Sequence, residues 1–301
     1  MKTLLGLIAS PRKHGNCELF VKELFRQLPA GEWQLSLARL PALDIRPCKA
    51  CYRCLFEEMT CPQKDDFNPT LEALTAADAV AVAAPTYFLG ANSSLKRFLD
   101  RGLAFYGKLD RLWAKPAVGV AIAGIQGMEG YTKLSVDSFL KLSLADHRGS
   151  EVLYGALPGE IFLTDAAQQT ARRLAAALTA GSKASATKPD SGSDTDPDSA
   201  PRCPLCGGDT FRFLGGNRLR CMLCSSEGSL EFQEERINIA TNQGEHPLFL
   251  SLQDVKKHME WLRGMKQVYR ERRNELKAII DQHVTTRSIP LVELGCSVEN
   301  S

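Results

Sequence analysis

Short apolar runs alternate with helix-like patterns through the first 180 residues, and this alternation constrains the fold more than any other feature. The runs Leu4 to Ala9, Asp78 to Ala84 and Pro116 to Ala123 are typical of strands that a parallel sheet buries on both faces. Apolar residues recur at helical spacing between these runs. The pattern predicts an α/β fold in which helices cover both sides of a parallel sheet.

Loops that follow the predicted strands carry the candidate ligand-binding residues. In a doubly wound sheet the ligand binds beyond the carboxyl ends of the strands, where the winding direction reverses. The first loop combines a hydroxyl, an arginine and an asparagine with the start of a helix, which favours a phosphate over an ordinary helix-capping loop. The loop spans Ser10 to Cys17, and its phosphate candidates are Ser10, Arg12 and Asn16.

Two further loops bring aromatic rings and a glycine-rich backbone to the same predicted edge. Together with a phosphate site they suit a phosphorylated, flat, aromatic cofactor, although Tyr87 and Phe88 could instead be core aromatics. FMN fits better than a dinucleotide because no G-x-G-x-x-G follows the first strand. The candidates for the ring site are Pro85, Thr86, Tyr87, Phe88 and Gly124.

Eight of the ten cysteines fall into two groups, which leaves Cys17 and Cys296 apart. Met1 to Ile8 leads into a polar segment without a cleavage-type site, so we expect a cytoplasmic protein whose cysteines bind metal rather than form disulfides. No apolar run approaches the ~20 residues of a membrane span. The net charge of +2 is too small to indicate a membrane or nucleic-acid partner by itself.

The first group comprises Cys48, Cys51, Cys54 and Cys61, with three cysteines at successive spacings of three and a fourth just before Pro62. One tight loop can hold a compact centre in this way, as in ferredoxins. A structural zinc site and a redox-sensing disulfide pair are the alternatives, but zinc usually takes two separated cysteine pairs. The spacing favours an iron-sulfur cluster.

The second group comprises Cys203, Cys206, Cys221 and Cys224, two C-x-x-C pairs with fourteen residues between them. Each pair points two thiolates inward, and a hairpin between the pairs can bring them together. Iron in a rubredoxin-like site is the alternative. Four thiolates on a short hairpin favour zinc, so this group resembles a zinc ribbon.

The composition of the chain changes after the α/β region. Residues 1–180 form the predicted α/β domain, and residues 181–201, rich in Ser, Asp, Thr and Pro, form a disordered linker. The zinc ribbon is assigned to 202–234 and a helical C-terminal region to 235–301, with a helical pattern from Ser251 to His283. Mixed charges on that pattern favour a helix packed on its own protein over a nucleic-acid arm.

These motifs resemble the iron-sulfur flavoprotein branch of the NADPH-dependent FMN reductase family. The resemblance covers residues 1–180 and implies a flavodoxin-like fold, FMN, and a 4Fe-4S cluster on a C-x2-C-x2-C-x(4 to 7)-C motif, whose last gap is six here. It also implies that Ser10, Arg12, Asn16 and Cys17 hold the FMN phosphate, and that Pro85 to Phe88 with Gly124 line its ring. Ala9 and Cys17 depart from the family pattern, which usually has Gly at the first position and Ser or Thr at the second. The matching motifs are Ser10-Pro11-Arg12 with Asn16, the cysteine loop followed by Asp65-Asp66, Pro85 to Phe88, and Leu95 to Arg101.

We therefore expect an FMN-dependent iron-sulfur oxidoreductase that passes electrons between a 4Fe-4S cluster and FMN. A ferredoxin-like carrier or NAD(P)H is the expected electron source, no side chain is assigned a catalytic role, and the resemblance implies a homo-oligomer. The alternative is a redox-sensing regulatory or assembly protein whose zinc ribbon binds nucleic acid or a protein partner. Nucleic acid is possible but not favoured, because the C-terminal helix carries charges of both signs.

Overall fold

A computed structural model describes residues 1–56, 59–181, 200–233, 236–242, 244 and 248–286 of the 301-residue chain. Most of the predicted linker at 181–201, and Cys296, lie outside the described residues. The chain divides into one compact unit at Met1–His258 and a second unit at Met259–Ser301. Both cysteine groups belong to the first unit.

A six-stranded sheet forms the centre of the first unit. Its strands are β1 (Lys2–Ile8), β2 (Trp33–Arg39), β3 (Ala79–Tyr87), β4 (Gly90–Ala91), β5 (Pro116–Ala123) and β6 (Asp146–Tyr154). Five of them are parallel in the order β2-β1-β3-β5-β6, and the short β4 pairs antiparallel with the end of β3. Counted without β4, this is the 2-1-3-4-5 order of flavodoxin-like sheets, so the predicted α/β fold is confirmed.

Helices cover both faces of the sheet. They are α1 (Asn16–Arg26), α2 (Arg53–Phe56), α3 (Phe67–Ala76), α4 (Ser93–Leu99), α5 (Leu109–Leu112), α6 (Thr132–Leu142) and α7 (Ala166–Thr179). On one face α1 and α7 bury Phe20, Leu24 and Leu174 against the strands. On the other face the Phe98 ring packs 4.9 Å from Phe67 and 5.9 Å from Phe139, measured between ring centroids. Burying a side chain of this size stabilises the fold by about 2–3 kcal/mol.

The last parallel strand is longer than the sequence indicated. Apolar residues mark a strand only at Val152 to Tyr154, whereas β6 pairs with β5 from Asp146 onward. Residues 146–151 are only half-buried because β6 lies at the edge of the sheet. Pairing with β5, rather than apolar composition, therefore decides this part of the strand.

A second sheet forms the ribbon, defined here as residues 203–233 and 236–242. Its antiparallel strands are β7 (Phe211–Gly215), β8 (Arg218–Cys221), β9 (Glu227–Gln233) and β10 (Arg236–Asn242), in the order β10-β9-β8-β7. Residues 236–242 were assigned above to the helical region 235–301, and they form a strand instead. Ile237 and Ile239 alternate with polar residues, which is the period of a strand rather than a helix.

Two helices, α8 (Leu252–Glu271) and α9 (Arg273–Val284), replace the single helical pattern predicted from Ser251 to His283. Arg272 separates them, with backbone angles of φ −95° and ψ 8°. Within the part of the chain that the structure describes, no helix is both long and apolar enough to cross a membrane.

Candidate flavin and metal sites

The phosphate loop, residues Ser10 to Cys17, joins β1 to α1 at the carboxyl edge of the sheet. Gly15 precedes α1 and brings no side chain to cap it, so the first-turn N–H groups are left for an anionic ligand. Ser10 is buried, and its hydroxyl accepts a hydrogen bond from the Arg12 N–H at 3.3 Å. The helix start and the loop thus bring N–H groups and a hydroxyl together at this edge of the sheet, and phosphate binding by them stays a prediction.

Arg12 and Asn16 also tie the phosphate loop to the segment after β6. The Asn16 side chain donates to Gly155 O at 2.9 Å and accepts from the Gly159 N–H at 2.7 Å. Arg12 donates one bond to Ala156 O at 3.1 Å. Asn16 therefore acts as part of the scaffold, whereas exposed Arg12 keeps further guanidinium N–H groups for a phosphate.

Cys17 points its side chain into the core beneath the loop. It is 2% exposed, and burial raises the pKa of its thiol to about 12. Such a thiol stays protonated and does not act as a nucleophile. Only the backbone of Cys17 can contribute to a phosphate site.

Arg39 and Glu18 brace the phosphate loop, and the sequence analysis did not identify either residue. Arg39, at the end of β2, donates to Ser10 O at 3.0 Å and to Arg12 O at 2.8 Å. Its guanidinium also pairs with Glu18 at 2.5 Å. Burial opposes the charge on Glu18, but hydrogen bonds from Lys22, the His14 N–H and Arg39 outweigh it and lower the pKa of Glu18 to about 2.

The aromatic hairpin, residues Thr86 to Ala91, projects from the end of β3. Tyr87 pairs with Gly90, so Phe88 and Leu89 form a two-residue turn, with φ of 49° and 63°. A tight turn of this kind needs positive φ at both positions, which bulky residues rarely adopt. The Phe88 side chain is fully exposed. Backbone strain beside exposed aromatic rings is a feature of ligand-binding positions.

Contacts with the start of α6 hold this strained hairpin in place. The Tyr131 N–H donates to Leu89 O at 2.7 Å, and the Thr86 hydroxyl donates to the Thr132 hydroxyl at 2.9 Å. Gly130 has φ of 53°, and a Cβ there would lie 2.2 Å from Leu89 O. Any side chain at Gly130 would therefore displace the hairpin.

Large apolar side chains remain exposed along the carboxyl edge of the sheet. Gly124 is exposed as well, so the backbone after β5 is open to close approach. Exposed apolar side chains on neighbouring loops are of the type that binds a flat aromatic ring system, and the ring site stays a prediction. The exposed residues are Tyr87, Phe88, Leu89, Ile125, Met128, Tyr131, Tyr154 and Leu157.

The cysteine loop, residues Cys48 to Cys61, gathers its four thiols around one cavity of about 230 Å³. Cys48 and Cys51 lie on its exposed side, and Cys54 and Cys61 are buried. Among the described residues, only the ribbon has three or more cysteine, histidine or carboxylate ligand atoms within 4.8 Å of one another. The four cysteines of the cysteine loop do not form such a group. Since one water occupies about 30 Å³, the cavity has room for a group of several atoms.

Arg101 is the buried cation of this cavity. It is 2% exposed, donates to Cys61 Sγ at 3.0 Å, and forms an ion pair with the enclosed carboxylate of Asp65. Burial opposes charge on both partners, but their hydrogen bond lowers the pKa of Asp65 and raises that of Arg101. Within the described residues Arg101 Nε is buried without a hydrogen-bond partner. An unpartnered N–H in a cavity lined by four cysteines fits a bound group that supplies an acceptor.

The thiols of the cysteine loop must lose protons to bind metal. Burial, followed by the charges of Cys61, Cys51 and Cys48, raises the pKa of Cys54 to about 11. At neutral pH such thiols become thiolates only when a metal cation displaces their protons. Four thiolates beside a buried arginine fit an iron-sulfur cluster, whose potential depends on hydrogen bonds to its sulfurs.

The ribbon cysteines form a much tighter group. Sγ of Cys203 lies 3.8 Å from that of Cys224, and Sγ of Cys206 lies 3.5 Å from that of Cys221. Metal-to-sulfur bonds of about 2.3 Å in a tetrahedron require sulfur atoms about 3.8 Å apart. All four sulfurs lie within 4.8 Å of one another, so they fit a single tetrahedral ion.

Lysines of α6 contact both the ribbon and the segment that follows it. Lys133 Nζ lies 2.9 Å from both Asp137 and ribbon residue Asp209. Lys141 donates to Phe249 O at 3.0 Å, and the Phe249 ring packs edge-on against Tyr106. Burial lowers the pKa of Lys141, while the four ribbon thiols oppose that shift. The ribbon therefore packs on the helix that supports the aromatic hairpin.

The known family that matches this chain covers its flavodoxin-like part. The sequence profile of the family "NADPH-dependent FMN reductase" matches residues 2–152, half of the chain. An iron-sulfur flavoprotein of Archaeoglobus fulgidus is 28% identical over 161 residues, which cover 52% of this chain and 70% of the relative. An iron-sulfur flavoprotein of Methanocaldococcus jannaschii is 28% identical over 183 residues, which cover 57% and 92%.

The whole architecture also recurs in a solved structure. A flavone reductase aligns with a TM-score of 0.66 and 16% identity over 96% of this chain and 99% of its own, a likeness that concerns the fold alone. The family match makes the chain a flavin-dependent oxidoreductase. The chain belongs to the NADPH-dependent FMN reductase family, in its iron-sulfur flavoprotein branch. The predicted family and enzyme class are thus confirmed.

Proposed function

We propose that the protein passes electrons between a 4Fe-4S cluster held by the cysteine loop and FMN held at the carboxyl edge of the sheet. The observation that carries this proposal is the shared cavity of about 230 Å³, which all four cysteines line without closing around a single ion. FMN exchanges one or two electrons whereas a cluster exchanges one at a time, so the pair joins two kinds of redox partner.

The protein's own residues would orient both groups. Arg12, the backbone from Ser10 to Cys17 and the α1 N-terminus would hold the phosphate of FMN, and Arg39 keeps that loop in shape. Pro85 to Phe88 and Gly124 would line its ring. Arg101 would hold Cys61 and offset the negative charge of the four thiolates.

Anaerobic purification tests the proposal. The protein is expected to contain about one FMN with about four iron and four sulfide ions per chain, and a dithionite-reduced sample should give an iron-sulfur EPR signal. NADH, NADPH and reduced ferredoxin would then each be mixed with the protein. The donor that reduces it, as followed by absorbance, is the electron source. A preparation with flavin but without iron or sulfide would sink the two-centre proposal.

For the ribbon we infer a structural zinc ion held by Cys203, Cys206, Cys221 and Cys224. The tetrahedral spacing of the sulfurs supports one ion, and a closed set of four thiolates favours zinc. Metal analysis is expected to find about one zinc ion per chain and no additional mononuclear iron. A rubredoxin-type iron spectrum would overturn the zinc assignment.

A second candidate function is a redox-responsive protein whose ribbon binds another protein. The β-strand register puts Phe213, Phe232 and Ile237 on one sheet face, and all three are exposed. Arg218 and Arg220 both pair with Glu227, which weakens the case for binding of phosphates by the opposite face. Release of a co-purified protein by Phe213→Asp, with flavin content unchanged, would favour this function. Purification of the wild-type chain without any partner would count against it.

A further inference from the structure

A second cavity, of about 380 Å³, opens beside the cysteine loop. Both ends of that loop contribute to it, because Lys49 and Arg53 flank Cys51 and Lys64 follows soon after the last cysteine. Sites for small molecules begin at about 300 Å³, so the cavity is large enough to be one. Four cations line this basic cavity, and no carboxylate of the described residues does: Arg46, Lys49, Arg53 and Lys64.

The charges of the basic cavity are only partly compensated. Arg46 lies 3.0 Å from Asp44, which offsets part of its charge. Lys49 and Lys64 are exposed, and neither forms an ion pair with a carboxylate of the described residues. Like charges gathered in one place repel one another, so a bound anion relieves this repulsion. An anion with several charged oxygen atoms gains most, because it accepts hydrogen bonds from several of these cations at once.

Gln63 adds an unsatisfied acceptor to the lining of the same cavity. Its amide nitrogen donates to Pro47 O at 3.0 Å, whereas its Oε1 is buried without a hydrogen-bond partner among the described residues. A buried carbonyl oxygen of this kind is satisfied by a group that carries a proton. Inorganic phosphate at neutral pH offers both features, charged oxygens for the cations and an O–H for Gln63. Sulfate offers only the charged oxygens.

We propose that the basic cavity binds a phosphate group, either as inorganic phosphate or as the phosphate ester of a small metabolite. Arg46, Lys49, Arg53 and Lys64 hold the charged oxygens, and Gln63 accepts a proton from the phosphate or from the group attached to it. The cavity shares no residue with the phosphate loop, so this is a second phosphate site beside the one predicted for FMN.

Cys51 connects the basic cavity with the cavity of the cysteine loop, because it lines both. A bound phosphate therefore brings negative charge close to a ligand of the proposed cluster. Reduction of the cluster by one electron adds a further negative charge, so phosphate binds the oxidised form more tightly and lowers the midpoint potential of the cluster. This redox linkage rests on the proposed function, whereas the phosphate site itself rests on the cavity.

Calorimetric titration of the anaerobic, FMN-loaded holoprotein with inorganic phosphate, ribose 5-phosphate and sulfate tests the site. The expected result is one phosphate group per chain, with sulfate bound at least about tenfold more weakly because it leaves Gln63 unpaired. Tighter binding of ribose 5-phosphate than of inorganic phosphate assigns the site to an organic ester, and any other order assigns it to the free anion. Binding of sulfate as tightly as phosphate overturns the proposal.

Charge-neutralising variants then locate the bound phosphate. Lys49→Gln/Lys64→Gln is expected to raise the Kd for phosphate at least about tenfold. Lys256→Gln/Lys257→Gln makes the same chemical change at exposed positions of α8 and should leave the Kd within about twofold. Equal binding by wild type and the Lys49/Lys64 variant overturns the proposal, as does an equal loss in the control.

A redox titration separates this site from the proposed function. Threefold tighter binding to the oxidised protein corresponds to a fall of about 28 mV in the one-electron midpoint potential at saturating phosphate. Wild type should show this fall and the Lys49/Lys64 variant should not, and an unchanged wild-type potential overturns the linkage. Phosphate binding without an iron-sulfur EPR signal after dithionite contradicts the two-centre proposal alone. An intact signal without phosphate binding overturns the phosphate site alone.

Discussion

The cysteine loop and the ribbon each gather four cysteines, but they space the sulfur atoms differently. The four ribbon sulfurs lie within 4.8 Å of one another, an arrangement that fits a single ion. The cysteine loop spreads its sulfurs around a cavity of about 230 Å³. Two C-x-x-C pairs joined by a hairpin thus give a closed site, whereas three cysteines on one irregular loop with a distant fourth give an open one.

The two sites also differ in the cation that the flavodoxin-like domain presents to them. Arg101 donates directly to a ligand sulfur of the cysteine loop at 3.0 Å. Lys141 lies near the ribbon thiols, but its hydrogen bond goes to Phe249 O. Hydrogen bonds to ligand sulfurs tune a redox centre, whereas a redox-silent ion needs only a stable cage. The surroundings therefore match the proposed roles, one reactive and one structural.

Serine variants of the two groups give the largest expected effect. Cys51→Ser removes a ligand of the cysteine loop, so iron and sulfide fall from about four per chain toward zero while zinc stays near one. Cys221→Ser removes a ribbon ligand, so zinc falls toward zero while iron and sulfide stay at about four per chain, because the tetrahedron needs four thiolates. Metal analysis of both purified variants checks the result. Loss of both metals from either variant would contradict two independent sites.

Loss of the ribbon metal is expected to unfold the ribbon but not the central sheet. Structural zinc supplies roughly 10 kcal/mol of folding free energy to small metal modules. Trypsin should therefore cut Cys221→Ser quickly at Arg212, Arg218 or Arg220, while wild type resists and both proteins keep their FMN. Equal resistance of variant and wild type would mean that the ribbon folds without metal.

Replacing Arg101 is expected to destabilise the cysteine loop by about 3–5 kcal/mol, because Arg101→Met leaves the Asp65 carboxylate buried without its partner. Urea unfolding measures this against Arg97→Met, an exposed change on the preceding helix α4. Arg101→Lys keeps the charge but cannot serve both Asp65 and Cys61, so it should lower the midpoint potential of the cluster. A potential equal to wild type would show that Arg101 only supports the fold.

The smallest expected effect concerns the attachment of the ribbon. Asp209→Asn removes a partly exposed ion pair to Lys133, which is worth about 1 kcal/mol, and leaves the pair of Lys133 with Asp137 in place. Amide hydrogen exchange across residues 203–224 should rise about fivefold, and metal content should not change. Lys96→Met, which breaks the pair with Asp100, serves as the control and should leave ribbon exchange unchanged. Unchanged ribbon exchange in Asp209→Asn would show that other contacts hold the ribbon.

Much of the fold could be predicted because its information is local. Continuous apolar runs identified β1, β3 and β5, and strand-helix alternation identified the parallel sheet. The cysteine spacings identified two groups. The thiols of the cysteine loop line one cavity, and the four ribbon sulfurs lie close enough to bind one ion. In each instance the residues that interact are close in sequence or repeat with a fixed period.

The residues that support the sites could not be predicted, because their partners are distant in sequence. Arg101 meets Asp65 across 36 positions, and Arg39 meets Glu18 across 21. Arg101 belongs to a motif that marked the family resemblance, but no local pattern indicates that it faces a cysteine. The same holds for Asn16, whose side chain reaches residues about 140 positions away. Sheet order and helix packing create these contacts, so only the folded chain reveals them.

Anomalous scattering from crystals, measured at the iron and zinc absorption edges, tests the central contrast most directly. The account predicts a strong iron peak within the cavity lined by Cys48, Cys51, Cys54 and Cys61, and one zinc peak among the four ribbon sulfurs. A zinc peak in the cysteine loop, or iron in the ribbon, would contradict the division between a reactive and a structural centre.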